Sequence, residues 1–368
     1  MSNRSAEIVG ASAHLYRIEN AEPHGDAIQQ FDALELPFVR LRDRGGVEGT
    51  GFGYTIGRGG STIVTLIREE LLPALEGADS RNIRRLHRRL RDSIHALCPG
   101  PVSSVALSAI DVALWDLAAR RHGVPLHVLL GGAQDRVRVY DTDVGWLNRP
   151  LDEALELASA AEKRGFRAFK LKVGKPDPEE DEERVGKFRE RFGASFDLMA
   201  DANQSWRLDE AVPRLRRLAR YDLAWIEEPL EATDLQGYAE LARHVSIPRA
   251  GGESLYDASS FYECARGACL DIFQPDVARL GGITPALDVC ALGACCGRPV
   301  APHVSPELSL VVAAAVPNAF YIEYIPQMEP VLRRRLEIED GCALAGTRPG
   351  HGIEFDEDAL SRVEVRVA

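Results

Sequence analysis

The sequence lacks four features, and each absence closes off a class of protein. No run approaches the roughly 20 uninterrupted apolar residues that a membrane-spanning helix needs, so no membrane partner is expected. No CxxC spacing occurs among the seven cysteines, an odd number that includes the adjacent pair Cys295 and Cys296. A disulfide framework or zinc ribbon is therefore not expected, and the thiols read as reduced and mostly buried. No glycine-rich phosphate loop follows the first strand of the α/β region, which argues against an open dinucleotide-binding sheet. Positive charge is short: 44 Lys and Arg stand against 56 Asp and Glu, a net charge of −12 that repels nucleic acid. The arginine-rich run Arg81–Arg91 reads as the solvated face of a helix. Met1–Gly10 contains Arg4 and Glu7 and no apolar segment, so no leader is read there and a cytoplasmic address is expected.

What is present is a repeated unit. From about residue 137 a short β-rich run, a polar loop and an amphipathic helical stretch recur, the pattern of parallel strands with crossover helices. The eight strand-like runs are Val137–Asp141, Ala168–Val173, Asp197–Asp201, Leu223–Glu227, Pro248–Gly251, Asp271–Gln274, Val300–His303 and Ala319–Glu323. Their spacing fits a closed barrel. Helices are expected between them, among them Asp152–Arg164, stopped by Gly165, and Leu208–Arg220. The pattern differs before residue 130, with strand-like Glu35–Arg42 and Gly49–Tyr54 and a long helix near Ser104–Arg121. The fold class is thus α/β, a TIM-type barrel over residues 134–334 with an α+β capping domain over 1–133, completed by about 335–368. The glycine-dense segment Gly51–Gly60 reads equally as a mobile lid or an ordinary hairpin.

Within Phe169-Lys-Leu-Lys-Val173, the period of two sends Phe169, Leu171 and Val173 to the helices and Lys170 and Lys172 into the barrel. Ammonium groups are costly in a lumen unless something negative meets them. At roughly 6.6 Å apart the pair would repel by about 2.5 kcal/mol at an effective dielectric near 20, enough to draw one lysine toward neutral pH as a base. Acids stand at the ends of the next three strands: Asp201 in Met-Ala-Asp-Ala-Asn, Glu227 in Trp-Ile-Glu-Glu-Pro and Glu253 in Gly-Gly-Glu-Ser. Any one alone could cap the following helix. Three converging at the catalytic face repel unless a cation holds them, and an all-oxygen set favours Mg²⁺ over zinc. Asp276 after the sixth strand and His303 after the seventh can form a hydrogen-bonded pair that fixes the imidazole tautomer. Glu323, ending the eighth, is either a protonated donor or a salt-bridging rim residue.

Lys-x-Lys, the three acids, the Asp276/His303 pair and Glu323 together resemble the mandelate racemase subgroup of the enolase superfamily, from about residue 30 to the end. The resemblance implies a modified (β/α)₇β barrel under its cap. It also implies one Mg²⁺ on Asp201, Glu227 and Glu253, with Lys172 and His303 as bases on opposite faces of a small anionic carboxylate substrate. Asp276 would orient His303, Lys170 would contact the substrate carboxylate, and Glu323 would hydrogen-bond the enediolate oxygen. A homo-oligomer is implied as well.

Two outcomes can follow abstraction of the α-proton: its return at carbon, giving a racemase or epimerase, or loss of a β-hydroxyl, giving a 2-keto-3-deoxy acid. The cap segments His24–Gln30 and Gly51–Gly60 are polar, and Tyr54, Arg58 and Asn203 are further candidates for substrate contact. Dehydration of an acid sugar is the expected reaction, and segments such as Asp201-Ala-Asn-Gln204 and Gln274–Gly282 look most like galactarate/talarate-type dehydratases. Arg279 stands where mandelate racemase and the muconate-lactonising subgroup carry lysine, which disfavours cycloisomerase and dipeptide epimerase readings. A sensor that has lost turnover is the remaining alternative, and the intact ring of proton-transfer groups speaks against it.

Overall fold

The computed structural model describes residues 5–367. Residues 1–4 of the segment read for a leader, and residue 368 at the end of the closing segment, lie outside them.

Three antiparallel strands open the chain: β1 (Ile8–Gly25), β2 (Gln30–Asp43) and β3 (Glu48–Phe52). The sequence reading found the second and third but not the first. The outer half of β1, around Glu19, Asn20 and Glu22, is exposed and shows no clean alternation. Under this sheet lies the helix Pro101–His122. By length and composition it could cross a membrane, yet 89% of its apolar window is buried inside the protein. It is a core helix, packed so tightly on β3 that a Cβ at Gly51 would come within 2.3 Å of the Ala109 carbonyl oxygen. That close approach is why Gly51 has no side chain, and it removes the first half of Gly51–Gly60 from any mobile lid.

The barrel strands are β4 (Arg136–Asp141), β5 (Ala168–Lys172), β6 (Asp197–Asp201), β7 (Trp225–Glu227), β8 (Arg249–Gly251) and β9 (Ile272–Phe273). They pair in parallel in that order. The seventh run is reduced to Val300, which bridges Phe273 on one side and Ala319 on the other. The circle closes where β10 (Tyr321–Tyr324) pairs in parallel with β4.

Inside the barrel, one residue from each of the eight runs forms a separate apolar layer: Tyr140, Ala168, Met199, Trp225, Ala250, Ile272, Ala301 and Tyr321. Three aromatics, Met199 and Ile272 are interspersed with three alanines and fill the taper. This layer seals the floor, and the next inward positions along the strands carry the polar site. Phe169, Leu171 and Val173 pack outward in the main core, as the period of two required.

The C-terminal stretch is divided. β11 (Ile338–Glu339) and β12 (Cys342–Leu344) form a hairpin whose second strand pairs antiparallel with β4. Only β13 (Glu364–Val365) joins the capping sheet, beside β1. All seven cysteines are free.

Candidate active site

Lys170, Asp201, Glu227, Gln274 and Glu323 lie on the wall above the apolar layer, none more than 1% exposed. Lys170 Nζ lies 2.5 Å from Glu227 Oε1, 2.7 Å from Glu323 Oε1 and 3.5 Å from Asp201 Oδ2. Lys172 Nζ donates to Asp201 Oδ2 at 2.6 Å, over the ring of Trp146. Burial alone would lower both ammonium groups. Glu227 and Glu323 outweigh it and hold Lys170 well above the ordinary lysine range. Asp201 does the same for Lys172, against Lys170. The mutual repulsion expected from sequence is therefore present but overruled in this arrangement, because Lys170 meets Glu227 at 2.5 Å and Lys172 meets Asp201 at 2.6 Å.

The carboxylates divide by environment. Burial, then Asp201 and Glu323, push Glu227 up to about 7 against the pull of Lys170. It accepts from Gln274 Nε2 at 2.6 Å and Trp225 Nε1 at 3.2 Å. Glu323 would also rise on burial, but Lys170 and His303 hold it at about 2. It accepts from Thr142 Oγ1 at 2.6 Å and Val304 N at 3.1 Å. With Lys170, Thr142 and the Val304 amide all directed at it, Glu323 acts as an acceptor in this arrangement.

Asp276 and His303 meet as expected, with His303 Nδ1 2.8 Å from Asp276 Oδ2. His303 Nε2 turns to Glu253 Oε2 at 2.8 Å. Burial would lower this imidazole, yet Glu253 and Glu323 raise it well above the ordinary value, and it in turn holds Glu253 below the usual carboxylate range. Arg279 approaches Glu253 at 3.6 Å and donates to Tyr256 Oη at 3.0 Å.

One cation site emerges from these groups. Asp201, Glu227 and Glu253 each offer an oxygen within 4.8 Å of the others. Buried Glu253 Oε2 and Asn203 Oδ1 make no geometrically sound hydrogen bond. Hard oxygen donors with spare lone pairs suit Mg²⁺. Glu227, His303 and Glu323 form a second cluster. There the histidine is already held by Asp276 and Glu323 by three donors, so the all-oxygen trio is the better fit.

The loops that deliver these groups are strained. Asn203, Gln204, Glu228, Val304 and Ser305 all have positive φ, between 34° and 62°, directly after Asp201, Glu227 and His303. Such conformations in residues with a Cβ cost on the order of 1–3 kcal/mol each and concentrate at functional sites. Sequence reasoning missed Glu228, buried beside the trio and held by Gln204 Nε2 at 2.7 Å. It also missed Gln274. The signal for Gln274 was available, since it lies two residues beyond Ile272 on the same inward face.

Above the ring is a cavity of about 390 Å³. Lys172, Asn203, Glu253, Arg279 and His303 line it from the barrel, and Tyr54 and Arg58 from the cap. Lys170, Asp201, Glu227, Asp276 and Glu323 lie behind that lining. Arg58 makes no ion pair among the described residues. The cap wall differs from the polar one expected: Ile28, Phe31, Ile56, Ile63, Val102 and Val105 give it an apolar flank.

Residues 153–359 match the enolase C-terminal domain-like family, and residues 13–131 match the mandelate racemase/muconate lactonizing enzyme N-terminal domain. The chain belongs to the mandelate racemase/muconate lactonizing family of the enolase superfamily. It is 37% identical to the L-talarate/galactarate dehydratase of Salmonella typhimurium over 89% of this chain and 82% of that one. It is 36% identical to the 3,6-anhydro-α-L-galactonate cycloisomerase of Streptomyces coelicolor, over 90% and 92%. The crystal structure of the Salmonella dehydratase liganded with Mg and L-lyxarohydroxamate superposes with a TM-score of 0.94 at 34% identity, covering 98% of this chain and 93% of that one.

Proposed function

We propose that the protein is a Mg²⁺-dependent acid sugar dehydratase, which removes the proton α to a carboxylate and expels the β-hydroxyl as water. The observation that carries this reading is one cavity lined by both Lys172 and His303, with the oxygen trio on the strands between them. Asp201, Glu227 and Glu253 would hold Mg²⁺, which supplies positive charge against the second negative charge developing on the substrate carboxylate.

The chain's own groups do the rest. One of Lys172 and His303 takes the α-proton as its C–H bond breaks, leaving the electron pair in an enediolate. The other, from the far side of the cavity, protonates the β-oxygen as the C–O bond breaks, and the enol product tautomerises to the 2-keto acid. Lys170 places fixed charge beside the carboxylate, which counts for more toward the dianion than toward the substrate. Asp276 holds the His303 tautomer. Asn203 and Arg58 remain as substrate contacts. A homo-oligomer is expected, to be read by light scattering.

The apolar cap flank favours one second reading, in which the leaving β-oxygen belongs to a ring ether. Arg279 was taken to disfavour cycloisomerases. Elimination from a cyclic sugar acid, however, needs only an α-base and a donor to the ring oxygen, and no group at position 279. Simple return of the proton to carbon is the racemase alternative.

The test is a screen of the purified protein with Mg²⁺ against mono- and diacid sugars and their anhydro forms, read as 2-keto acid by semicarbazide absorbance, with mandelate followed by polarimetry. A keto acid lighter than its substrate by one water supports the dehydratase. A keto acid of equal mass means ring opening. Rotation lost from mandelate with no keto acid from any sugar replaces both by racemisation.

A further inference from the structure

We propose that Tyr54 is a positioning residue for His303, reaching from the capping sheet into the barrel to hold the carboxylate that holds the histidine. Its hydroxyl donates to Asp276 Oδ2 at 2.5 Å. The same oxygen lies 2.8 Å from His303 Nδ1, while Asp276 Oδ1 accepts from Ala278 N at 2.9 Å. Three donors thus hold this buried carboxylate, two on Oδ2 and one on Oδ1, and one of them comes from the other domain. The phenol is spent on Asp276, so its substrate contact is confined to the ring that lines the cavity.

The connection is rigid at both ends. Gly53 N donates to Pro37 O at 3.0 Å, and Thr55 exchanges backbone bonds with Glu35, which fixes Tyr54 to β2 of the cap. A Cβ at Gly53 would lie 2.5 Å from Val105 Cγ1 on the cap's own helix and 3.1 Å from the Ala278 carbonyl oxygen on the barrel side. Glycine there lets the cap strand come down onto the loop that carries Asp276. The orientation of His303 is therefore set by two domains at once. Seating of the cap and readiness of the imidazole become one event, since an unseated cap withdraws a donor from Asp276. The carboxylate can then rotate and take the histidine with it.

This role rests on the reading of His303 as a proton-transfer group, and its test has a part that does not depend on substrate. Tyr54→Phe keeps the ring and its packing and removes only the hydroxyl. In [¹⁵N]histidine-labelled protein with Mg²⁺, the His303 Nδ1 proton is identified by its loss in His303→Asn. It is expected to move downfield in Tyr54→Phe, because Asp276 Oδ2 then serves one donor instead of two. An unmoved resonance overturns the proposal whatever the substrate is.

On a substrate that turns over, Tyr54→Phe should lower kcat by roughly ten- to a hundredfold, the usual effect of removing an outer hydrogen-bond partner, with KM changed less than threefold. In the His303→Asn background the same substitution should leave residual α-proton exchange into deuterated water unchanged. A rise in KM of equal size in both backgrounds would make Tyr54 a substrate contact and overturn the positioning role. If the wild type is silent on every acid sugar while the resonance moves, the dehydratase reading fails and the positioning role stands.

Discussion

Lys170→Met replaces an ammonium group that meets three carboxylates within 3.5 Å with an apolar chain of similar length. Removing one partner of a fully buried ion pair costs about 3–5 kcal/mol, because the remaining charge is left uncompensated. An independent route gives the same order. Glu323 is held at about 2 by Lys170 and His303, against about 4.3 in an unfolded chain, which corresponds to about 3 kcal/mol at neutral pH. The sign follows from the direction of that shift: a carboxyl lowered on folding contributes stability above its unfolded value and loses it as pH falls toward 2. In Lys170→Met the share of that contribution owed to Lys170 disappears, while His303 remains. Glu227, already near 7 from burial and neighbouring acids, and Glu323 should both take up protons at mildly acidic pH. The variant should therefore be less stable than the wild type by about 3–5 kcal/mol at pH 8 and recover part of the deficit at pH 5. Urea unfolding of the metal-free proteins, followed by tryptophan fluorescence at both values, measures this. A deficit under about 1 kcal/mol, or one equal at pH 5 and pH 8, would refute the argument that Lys170 is the counter-ion of this ring.

Lys172→Ala and His303→Asn should each reduce keto acid formation by at least about a hundredfold, the lower range for a lost acid or base; full activity in both would refute the assignment. Chelation with EDTA should abolish turnover and added Mg²⁺ restore it, and binding of Mg²⁺ to Glu253→Gln, read by calorimetry, should be weakened. Gly51→Val drives a side chain into the Ala109 carbonyl oxygen and Ala113 backbone and should cost about 3 kcal/mol or more, at the upper end of overpacking, seen as a lower thermal midpoint. Arg58→Gln should raise KM for a diacid sugar more than for a monoacid, while leaving kcat within about threefold.

The ring of site residues was legible because a strand's period of two is geometry rather than tendency. Once Phe169, Leu171 and Val173 were assigned to the helices, Lys170 and Lys172 had to face the lumen, and Asp201, Glu227, His303 and Glu323 end strands of the same kind. The parts that stayed hidden depend on contacts between segments distant in sequence. The outer half of β1 is polar because it projects past the core, so alternation could not reveal it. The seventh strand is a single bridging residue, held by neighbours on both sides. Gly51 and Gly53 looked like flexibility, although each marks a place where two backbones touch. Tyr54 looked like a pocket residue because nothing in its neighbourhood names Asp276, which lies 222 positions along the chain.

The same geometry explains why chemistry and stability coexist in one barrel. Along most of the strands the lower inward position is apolar and the next is polar, as in Met199 and Asp201, Trp225 and Glu227, Ile272 and Gln274, Ala301 and His303, and Tyr321 and Glu323. The apolar layer excludes water from beneath the ring, so Lys170, Glu227 and Glu323 interact at low dielectric, where each charge counts for more than it would in solvent. Burying so much like charge is tolerable only with counter-charges in register, which the Lys-x-Lys strand supplies from the adjacent position. The left-handed residues that follow Asp201, Glu227 and His303 then turn the chain sharply away from the lumen. Their strain is carried by turns anchored at one end in the closed barrel, and His303 stays in the cavity lining while Asp201 and Glu227 stay buried just behind it.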